Sequence, residues 1–139
     1  ITSEDPRIKY YSGTADYTNT FTIKEIPSQP TYINLGKVVA MAKVYLNGKY
    51  VGGAWTYPYR LNITDYLQKG ENTVKIEVVN NWVNRLIGDL KLPAEQRSTW
   101  TMVNPWRDDS QLQSSGLFGP VRIESHDYEL LKFSPLSDN

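Results

Sequence analysis

Apolar and polar residues alternate along most of this 139-residue chain, and this period of two limits what it can fold into. Side chains of a β-strand point alternately to its two faces, so such alternation is typical of strands with one buried face. The clearest example carries Val74, Ile76 and Val78, with Lys75 and Glu77 between them. We expect the core to consist of the alternating residues Val44, Leu46, Val74, Ile76, Val78, Val121 and Ile123.

Turn signals separate the predicted strands at short intervals. Asn47-Gly48 directly follows an alternating run, and both residues tolerate the positive φ of a tight hairpin turn. Gly52-Gly53 predicts a bulge or a close backbone approach in the returning strand. Thr64, as an N-cap, and Gly70 predict a short helical turn between them. Short strands divided in this way predict an all-β sandwich.

The length of the chain suits a single domain. We expect one β-sandwich domain over residues 1–133 and a tail over residues 134–139. The chain starts with Ile1 and shows no signal peptide. We therefore expect it to be a piece of a longer polypeptide or a processed product.

The composition argues against several classes of function. Lys and Arg number 15, as do Asp and Glu, so no net charge favours nucleic acid or an anionic membrane as partner. No apolar run reaches the roughly 20 residues of a membrane span. The chain has no cysteine, hence no thiolate nucleophile and no cysteine-based zinc site. A single histidine, His126, argues against Ser-His-Asp catalysis and His-rich metal sites.

One stretch, residues 81–119, lacks the alternation. Structureless loops beyond about 15 residues are uncommon in compact domains and are usually functional. This stretch holds three of the four tryptophans, Trp82, Trp100 and Trp106. We expect it to fold over one end of the sandwich, with Trp82 packed inward as its anchor and Trp106 exposed for stacking. The functional surface is therefore predicted here.

A second candidate group lies just before it in the sequence. Trp55, Tyr57 and Tyr59 alternate around Pro58, so they share one face of an extended strand. Such a row either stacks against the C–H faces of pyranose rings or covers the rim of the sandwich. The packing role is favoured for Tyr59, and both roles stay open for Trp55 and Tyr57.

Charged and amide side chains form a third group. Arg85 and Asp89 are four residues apart and would pair on a helical turn, which Gly88 would let the chain leave. The neighbouring amides Asn80, Asn81 and Asn84 either bond loose backbone groups of this loop or, like Arg85, contact a sugar or another domain. The complete set of predicted carbohydrate or domain contacts is Trp55, Tyr57, Asn84, Arg85, Asp89, Trp100, Trp106 and Arg107.

Glycoside hydrolysis needs two carboxyl groups about 5 to 10 Å apart, one of them with a raised pKa. The long stretch contains four carboxylates, Asp89, Glu95, Asp108 and Asp109. Most acidic residues of the chain lie in polar runs that are typical of solvated surface. We therefore predict that this chain alone is not an enzyme.

The segment VYLNGKYVGGAWTYPYRLNITDYLQKGENTVKIEVVN resembles the sugar-binding domain of glycoside hydrolase family 2 and its relatives. The shared features are an NG hairpin, a Pro-aromatic step, an IT-D-L turn, a GEN turn and a strand that ends in Asn. SSGLFGPVRI resembles the closing strand of those domains. NNWVNRLIGDLKLP, with IKYYSGTADYTNTF, is similar to the C-terminal β-sandwich of bacterial α-L-rhamnosidase-type glycoside hydrolases. The resemblance covers about residues 8–123.

The resemblance implies a galactose-binding-domain-like jelly-roll sandwich with one long loop region. It also implies an accessory role, since the catalytic carboxylates of such enzymes belong to a separate barrel domain. The sandwich would brace that catalytic domain and contact a plant or bacterial glycan. The parent enzyme would be periplasmic or secreted by a polysaccharide-degrading bacterium.

Two other functions compete with the accessory role: a free-standing carbohydrate-binding module and a purely structural interdomain module. No cofactor is expected. The resemblance does implicate a structural Ca²⁺, because galactose-binding-like sandwiches often hold one. Calcium takes six to eight oxygen ligands, and the chain offers only Asp108-Asp109 and no Asp-x-Asp-x-Asp-Gly loop.

Overall fold

The computed structural model describes residues 4–125. His126 and the expected tail at residues 134–139 lie outside the described residues, and the domain bounds 1–133 stay a prediction. No helix within residues 4–125 is long and apolar enough to cross a membrane.

Strands dominate the described residues, with a few short helical segments between them. The strands are β1 (Thr14–Ile23), β2 (Thr31–Asn34), β3 (Lys37–Val39), β4 (Met41–Leu46), β5 (Lys49–Ala54), β6 (Arg60–Asn62), β7 (Gly70–Val79), β8 (Gly116–Gly119) and β9 (Arg122–Ser125). The helices are α1 (Pro6–Lys9) and α2 (Val83–Leu90), with 3₁₀ turns at Thr64–Tyr66 and Ala94–Gln96.

The named strands pair antiparallel in three groups. A four-stranded sheet has the order β1-β7-β4-β5, a three-stranded sheet has the order β6-β2-β9, and β3 pairs with β8. Antiparallel sheets commonly bury one face and leave the other in water, which produces the alternation read from the sequence. The predicted all-β sandwich is confirmed.

The core lies on the inner face of the four-stranded sheet. Five of the seven predicted core residues, on β4 and β7, are buried: Val44, Leu46, Val74, Ile76 and Val78. The prediction is wrong for Val121 and Ile123, which are each 38% exposed. Ile123 lies on β9 at the edge of its sheet and Val121 directly precedes this strand, and both line an apolar cleft of about 350 Å³ that β1 borders on its other side. An edge strand has a neighbour on one side only, so its apolar residues lose less contact with water.

The predicted hairpin joins β4 to β5. Asn47 and Gly48 have φ values of 51° and 78°, as a tight turn with two left-handed residues requires. The Asn47 side chain also accepts a hydrogen bond from the Thr73 N–H (2.9 Å) and donates one to Asn72 Oδ1 (2.9 Å). The turn is thus held against β7, and the buried Asn72 amide is satisfied.

A β-bulge interrupts the pairing of β4 with β5, as Gly52-Gly53 predicted. Tyr45 pairs with Tyr50, whereas Val44 pairs with Gly52, so Val51 is the extra residue. A Cβ atom on Gly52 would lie 3.3 Å from a Leu61 methyl carbon. The glycine therefore allows the close packing of β5 against β6.

The short helical turn exists, but Thr64 does not cap it. It is the 3₁₀ turn Thr64–Tyr66, which is preceded by Ile63 and has no side-chain cap. The Thr64 hydroxyl instead accepts a hydrogen bond from the Thr31 N–H at 2.9 Å. A tertiary contact to β2 thus replaces the local cap.

Candidate functional site

One end of the four-stranded sheet gathers the chain segments that the sequence marked as functional. Met41 pairs with Val79, which also pairs with Thr14, and Ala42 pairs with Ala54. Adjacent strands lie about 4.8 Å apart, so these four strand ends span about 14 Å. We call this end the rim and define it by the exposed aromatic residues next to the strand ends, Tyr11, Trp55, Tyr57 and Trp82, together with the exposed Trp100, whose neighbour Thr99 lines a cleft with Tyr11 and Trp82.

Trp82 lies on the surface of the rim, so the prediction that it packs inward is wrong: its exposed fraction is 63%. Tyr10 lies against helix α2 instead. A Cβ atom on Gly88 would lie only 2.5 Å from Tyr10 Cγ, so the helix packs through the bare backbone of Gly88. Gly88 lies within α2 and does not end it, which corrects the predicted role of this glycine.

The Asp89 carboxylate holds helix α2 to the segment that follows it. Oδ2 accepts hydrogen bonds from the N–H groups of Ser98 (2.9 Å) and Thr99 (2.7 Å) and from both of their hydroxyls (3.1 and 2.7 Å). Oδ1 lies 3.1 Å from Arg85 Nε, the predicted i, i+4 pair. Asp89 is 3% exposed.

Burial alone would raise the pKa of Asp89. The hydrogen bonds from Thr99 and Ser98 outweigh that effect, and the Arg85 guanidinium adds to them, so the pKa lies below its ordinary value. The folded state therefore favours the ionised form of Asp89. Arg85 also donates to the Ser98 hydroxyl through two of its nitrogens, which closes the network.

Two of the three asparagine side chains, those of Asn81 and Asn84, bond the backbone in this region. Asn84 is buried and bonds the backbone of Gln113 twice, from Nδ2 to the carbonyl (2.7 Å) and from the N–H to Oδ1 (2.8 Å). Asn81 Oδ1 accepts from the Val83 N–H (3.2 Å) at the start of α2. The Asn80 N–H donates to the Gly13 carbonyl (2.9 Å), while its Oδ1 is buried with no hydrogen-bond partner in residues 4–125.

A polar cleft of about 320 Å³ opens beside this network. Its two cations are already balanced, since Arg7 pairs with Asp5 (2.8 Å) and Arg85 pairs with Asp89. The cleft thus offers aromatic surface, hydroxyl groups and guanidinium groups without excess charge. It is lined by Arg7, Tyr11, Ser12, Trp82, Arg85, Ser98 and Thr99.

The remaining predicted contact residues follow this cleft along the chain. Trp100 is 84% exposed, and Met102 and Val103 are similarly exposed. Trp106 is half-buried, so the prediction that it is exposed is wrong. The backbone N–H of Trp106 donates a hydrogen bond to Asn104 Oδ1 (3.1 Å). Arg107 is exposed.

The structure thus separates the predicted contact residues by accessibility. Asn84 and Asp89 are buried and hold the loop, whereas Trp55, Tyr57, Arg85, Trp100 and Arg107 reach the surface. Sequence reasoning missed Tyr10, Ser98 and Thr99, because only tertiary packing brings them to α2. A Ser-Thr pair nine and ten residues after an aspartate carries no local signal.

The carboxylates of the long stretch differ in their exposure to water. Asp89 is buried in its network, whereas Glu95, Asp108 and Asp109 are exposed. No group of three or more Asp, Glu or His side chains in that part of the chain could hold a metal ion.

Comparison with known proteins agrees with this architecture. The family model described as "Glycosyl hydrolase 2 galactose-binding domain-like" matches residues 4–112. The chain belongs to this family. The predicted resemblance is thereby confirmed, while the C-terminal position within a parent enzyme stays a prediction.

This chain spans only about an eighth of the length of the relatives it matches. A putative beta-glucuronidase of Formosa agariphila is 37% identical over 86% of this chain and 13% of its own length. A beta-galactosidase of Priestia megaterium is 34% identical over 93% of this chain and 11% of its own length. The structure of a rhamnosidase from Novosphingobium sp. PP1Y superposes with a TM-score of 0.79, at 45% identity over 87% of this chain and 12% of that chain.

Proposed function

We propose that this galactose-binding-like domain is a non-catalytic accessory domain of a bacterial glycoside hydrolase, and that its rim docks on the catalytic domain. The observation that carries the proposal is the collection of exposed aromatic residues at one end of the sandwich, beside two arginines. Trp, Tyr and Arg are the residue types that most often dominate the binding energy of protein interfaces. The length of the relatives, of which this chain spans 11–13%, supports a multidomain parent.

Hydrogen bonds within the chain itself hold the segment that leads to Trp100 at the rim. Asp89 holds Ser98 and Thr99, and Trp100 follows directly with its side chain in solvent. An interface whose residues are already ordered loses less conformational entropy on association. This rigidity supports a docking role for Trp100 over that of a mobile linker.

Exposed apolar side chains next to Trp100 point to a protein partner. Met102 and Val103 follow closely in sequence and are exposed, so their apolar side chains do not gain the free energy of burial. A continuous apolar patch on a domain surface usually marks an interaction site. The catalytic domain of the same enzyme is the partner that this family membership supplies.

The parent enzyme is proposed to be α-L-rhamnosidase-like and to act outside the cytoplasm, in the periplasm or as a secreted protein. The rhamnosidase from Novosphingobium sp. PP1Y, at 45% identity, supports the first part. The second part follows from the size of plant and bacterial glycans, which places their first cleavage outside the cytoplasm. A glycan contact at the exposed aromatic residues belongs to the same proposal.

Docking is tested with the purified chain and a parent enzyme that lacks it, by isothermal titration calorimetry. The double variant Trp82→Ala, Trp100→Ala is expected to bind at least about tenfold more weakly, because it removes two candidate hot spots. Ile26→Ala, an exposed residue beyond the end of β1 that is opposite the rim, is the control and is expected to bind like the unmodified chain. Equal binding by the double variant would show that the rim does not dock.

Catalysis by the chain alone is tested with 4-nitrophenyl α-L-rhamnoside. We expect no turnover above that of a mock purification, because Asp89 of the long stretch is engaged in its network and the exposed Glu95, Asp108 and Asp109 lack the burial that raises the pKa of a general acid. Turnover that disappears on substitution of an Asp or Glu would contradict the accessory role.

A further inference from the structure

The two outer strands of the four-stranded sheet differ in how open their free edges are to further pairing. The sheet has the order β1-β7-β4-β5, and within residues 4–125 β1 pairs with β7 alone. At the opposite edge, β5 begins with Lys49 and contains the bulge at Val51. We propose that the free edge of β1 pairs antiparallel with β1 of a second copy of this chain, so that the sheets of the two copies become continuous.

Strand β1 has none of the features that usually keep an edge strand from pairing. Its register with β7 runs from Thr14 to Ile23 without a shift, so the strand is regular over 10 residues. It contains no lysine, arginine, proline or glycine, and Asp16 is its one charged residue. Lysine, proline and bulges are common means of protecting a sheet edge, and a long regular edge without them is a template for another strand.

The hydrogen bonds around β1 show which of its backbone groups face the free edge. The Gly13 carbonyl, just before the strand, accepts from the Asn80 N–H (2.9 Å), just after β7. Odd-numbered residues of this segment therefore point toward β7. The Thr20 N–H instead donates to Asn19 Oδ1 (2.9 Å). Backbone groups of successive residues point to opposite sides of a strand, so the even-numbered residues face outward.

This direction limits how two copies can pair. A hydrogen-bonded pair of an antiparallel ladder needs two residues that both point to the partner strand, so even-numbered residues must lie opposite even-numbered ones. A two-fold axis at Asn19 satisfies this condition and places Thr18 opposite Thr20 of the second copy. It also places Asp16 opposite Thr22, so no two like charges meet. Each pair occurs twice by symmetry, and the ladder supplies about eight hydrogen bonds, as in a small protein interface.

The same register pairs the aromatic residues of the strand. Tyr17 lies opposite the buried Ile76 of β7, and it therefore faces the inner side of the sheet. Phe21 lies opposite the buried Asn72 and faces the same side. Both residues line the apolar cleft beside β1, and Tyr17 is 41% exposed there. An axis at Asn19 puts Tyr17 opposite Phe21 of the second copy, twice by symmetry, and such cross-strand aromatic pairs stabilise a sheet.

Asn19 lies on the axis, opposite Asn19 of the second copy. Its side chain occupies the outward N–H of Thr20, and the backbone of the second strand takes over this donor when the copies pair. Each Asn19 amide carries donors and an acceptor, so the two side chains can bond each other across the axis. A contact of this kind uses the same surface of both copies and is closed, so it leads to a dimer and not to a fibre.

Sedimentation of the chain from about 10 μM to about 1 mM tests the proposal. We expect a monomer–dimer equilibrium with a Kd on the order of 100 μM, since the contact is small. The double variant Thr18→Lys, Thr20→Lys places lysines opposite lysines and is expected to weaken dimerisation at least about tenfold. Thr18→Lys, Thr20→Glu should restore it, because an axis at Asn19 brings opposite charges together. Both threonines are exposed, and the thermal midpoint of each variant checks its fold.

Asn19→Cys gives an independent test, because the chain has no cysteine of its own. Directly opposite residues of a non-hydrogen-bonded pair have Cα atoms about 4.5 Å apart, within the reach of a disulfide. Under mild oxidation this variant should form disulfide-linked dimers at least about tenfold faster than Tyr50→Cys, an exposed position on β5 at the other edge of the sheet. The rim variant Trp82→Ala, Trp100→Ala should dimerise like the unmodified chain.

A chain that stays monomeric at about 1 mM, or dimers that survive the double lysine variant, would overturn the proposal. The same holds if Thr18→Lys, Thr20→Glu fails to dimerise or if the two cysteine variants oxidise at equal rates. Association that is lost in the rim variant would assign the contact to the rim and overturn the proposal too. None of these measurements uses the parent enzyme, so a failure of docking at the rim leaves this result unaffected, and the reverse also holds.

Discussion

The Asp89 carboxylate lies between helix α2 and the segment that carries Trp100. Four donors from Ser98 and Thr99 and the Arg85 guanidinium surround it, and the residue is almost completely buried. Removing one partner of a buried charged pair costs about 3–5 kcal/mol, since the other partners stay desolvated. The order of the rim therefore depends strongly on this one side chain.

Asp89→Asn is expected to lower the free energy of unfolding at neutral pH by about 3 kcal/mol. The native pKa of Asp89 lies below its ordinary value, so its ionised form stabilises the fold. That contribution is complete above the pKa of an unfolded aspartate and is lost as the pH falls through the lower native pKa. Urea titrations from neutral pH to about pH 3 should therefore show a smaller loss of stability on acidification in the variant.

Asp109→Asn serves as the control, since Asp109 is exposed in the same long stretch. Its stability should stay within about 0.5 kcal/mol of the unmodified chain at neutral pH. A similar loss in both variants would show that the effect comes from charge removal in general rather than from the Asp89 network.

At the scale of single elements, β7 and β9 show how position within a sheet decides burial. Both strands alternate apolar and charged residues in the sequence. β7 pairs on both sides, with β1 and β4, and its inward residues are buried; β9 pairs with β2 at the edge of its sheet. The same sequence pattern thus leads to a core strand in one case and to a half-exposed strand in the other.

Ile76→Ala and Ile123→Ala form a matched pair that tests this difference by denaturant titration. Ile76 is 3% exposed, so its truncation should cost about 2–5 kcal/mol. Ile123 is at the edge, and its truncation should cost less than about 1.5 kcal/mol, because fewer contacts are lost there. Equal costs would show that β9 is covered in solution.

For the molecule as a whole, the balance of charges limits how it can associate. The chain has no formal net charge, and both arginines of the polar cleft are paired with aspartates. Long-range attraction between domains is therefore small, and apolar and aromatic contacts remain as the source of docking energy.

The affinity of the chain for a parent enzyme that lacks it is expected to change less than about threefold between 50 and 500 mM NaCl, as measured by calorimetry. Salt at these concentrations screens exposed charges strongly but leaves apolar contacts nearly unchanged. A decrease of tenfold or more would show that the docking surface is electrostatic and lies away from the rim.

The sequence by itself determined the fold class, the hairpin at Asn47-Gly48, the bulge next to Gly52-Gly53 and the Arg85–Asp89 pair. All of these depend on residues close together in the chain, where strand alternation, positive φ and helical spacing leave a local signature. Family membership was also readable, because ordered turn motifs span most of the chain.

The tertiary structure alone decided which aromatic residues face water and which elements meet. Trp82 is exposed whereas Tyr10 packs on the bare backbone of Gly88, and Trp106 is half-buried within the long stretch. Ile123 on β9 and Val121 directly before it are each 38% exposed, since strand order puts β9 at an edge of its sheet. Burial depends on neighbours that are distant in sequence, so a local pattern can show that a residue is apolar but not what covers it.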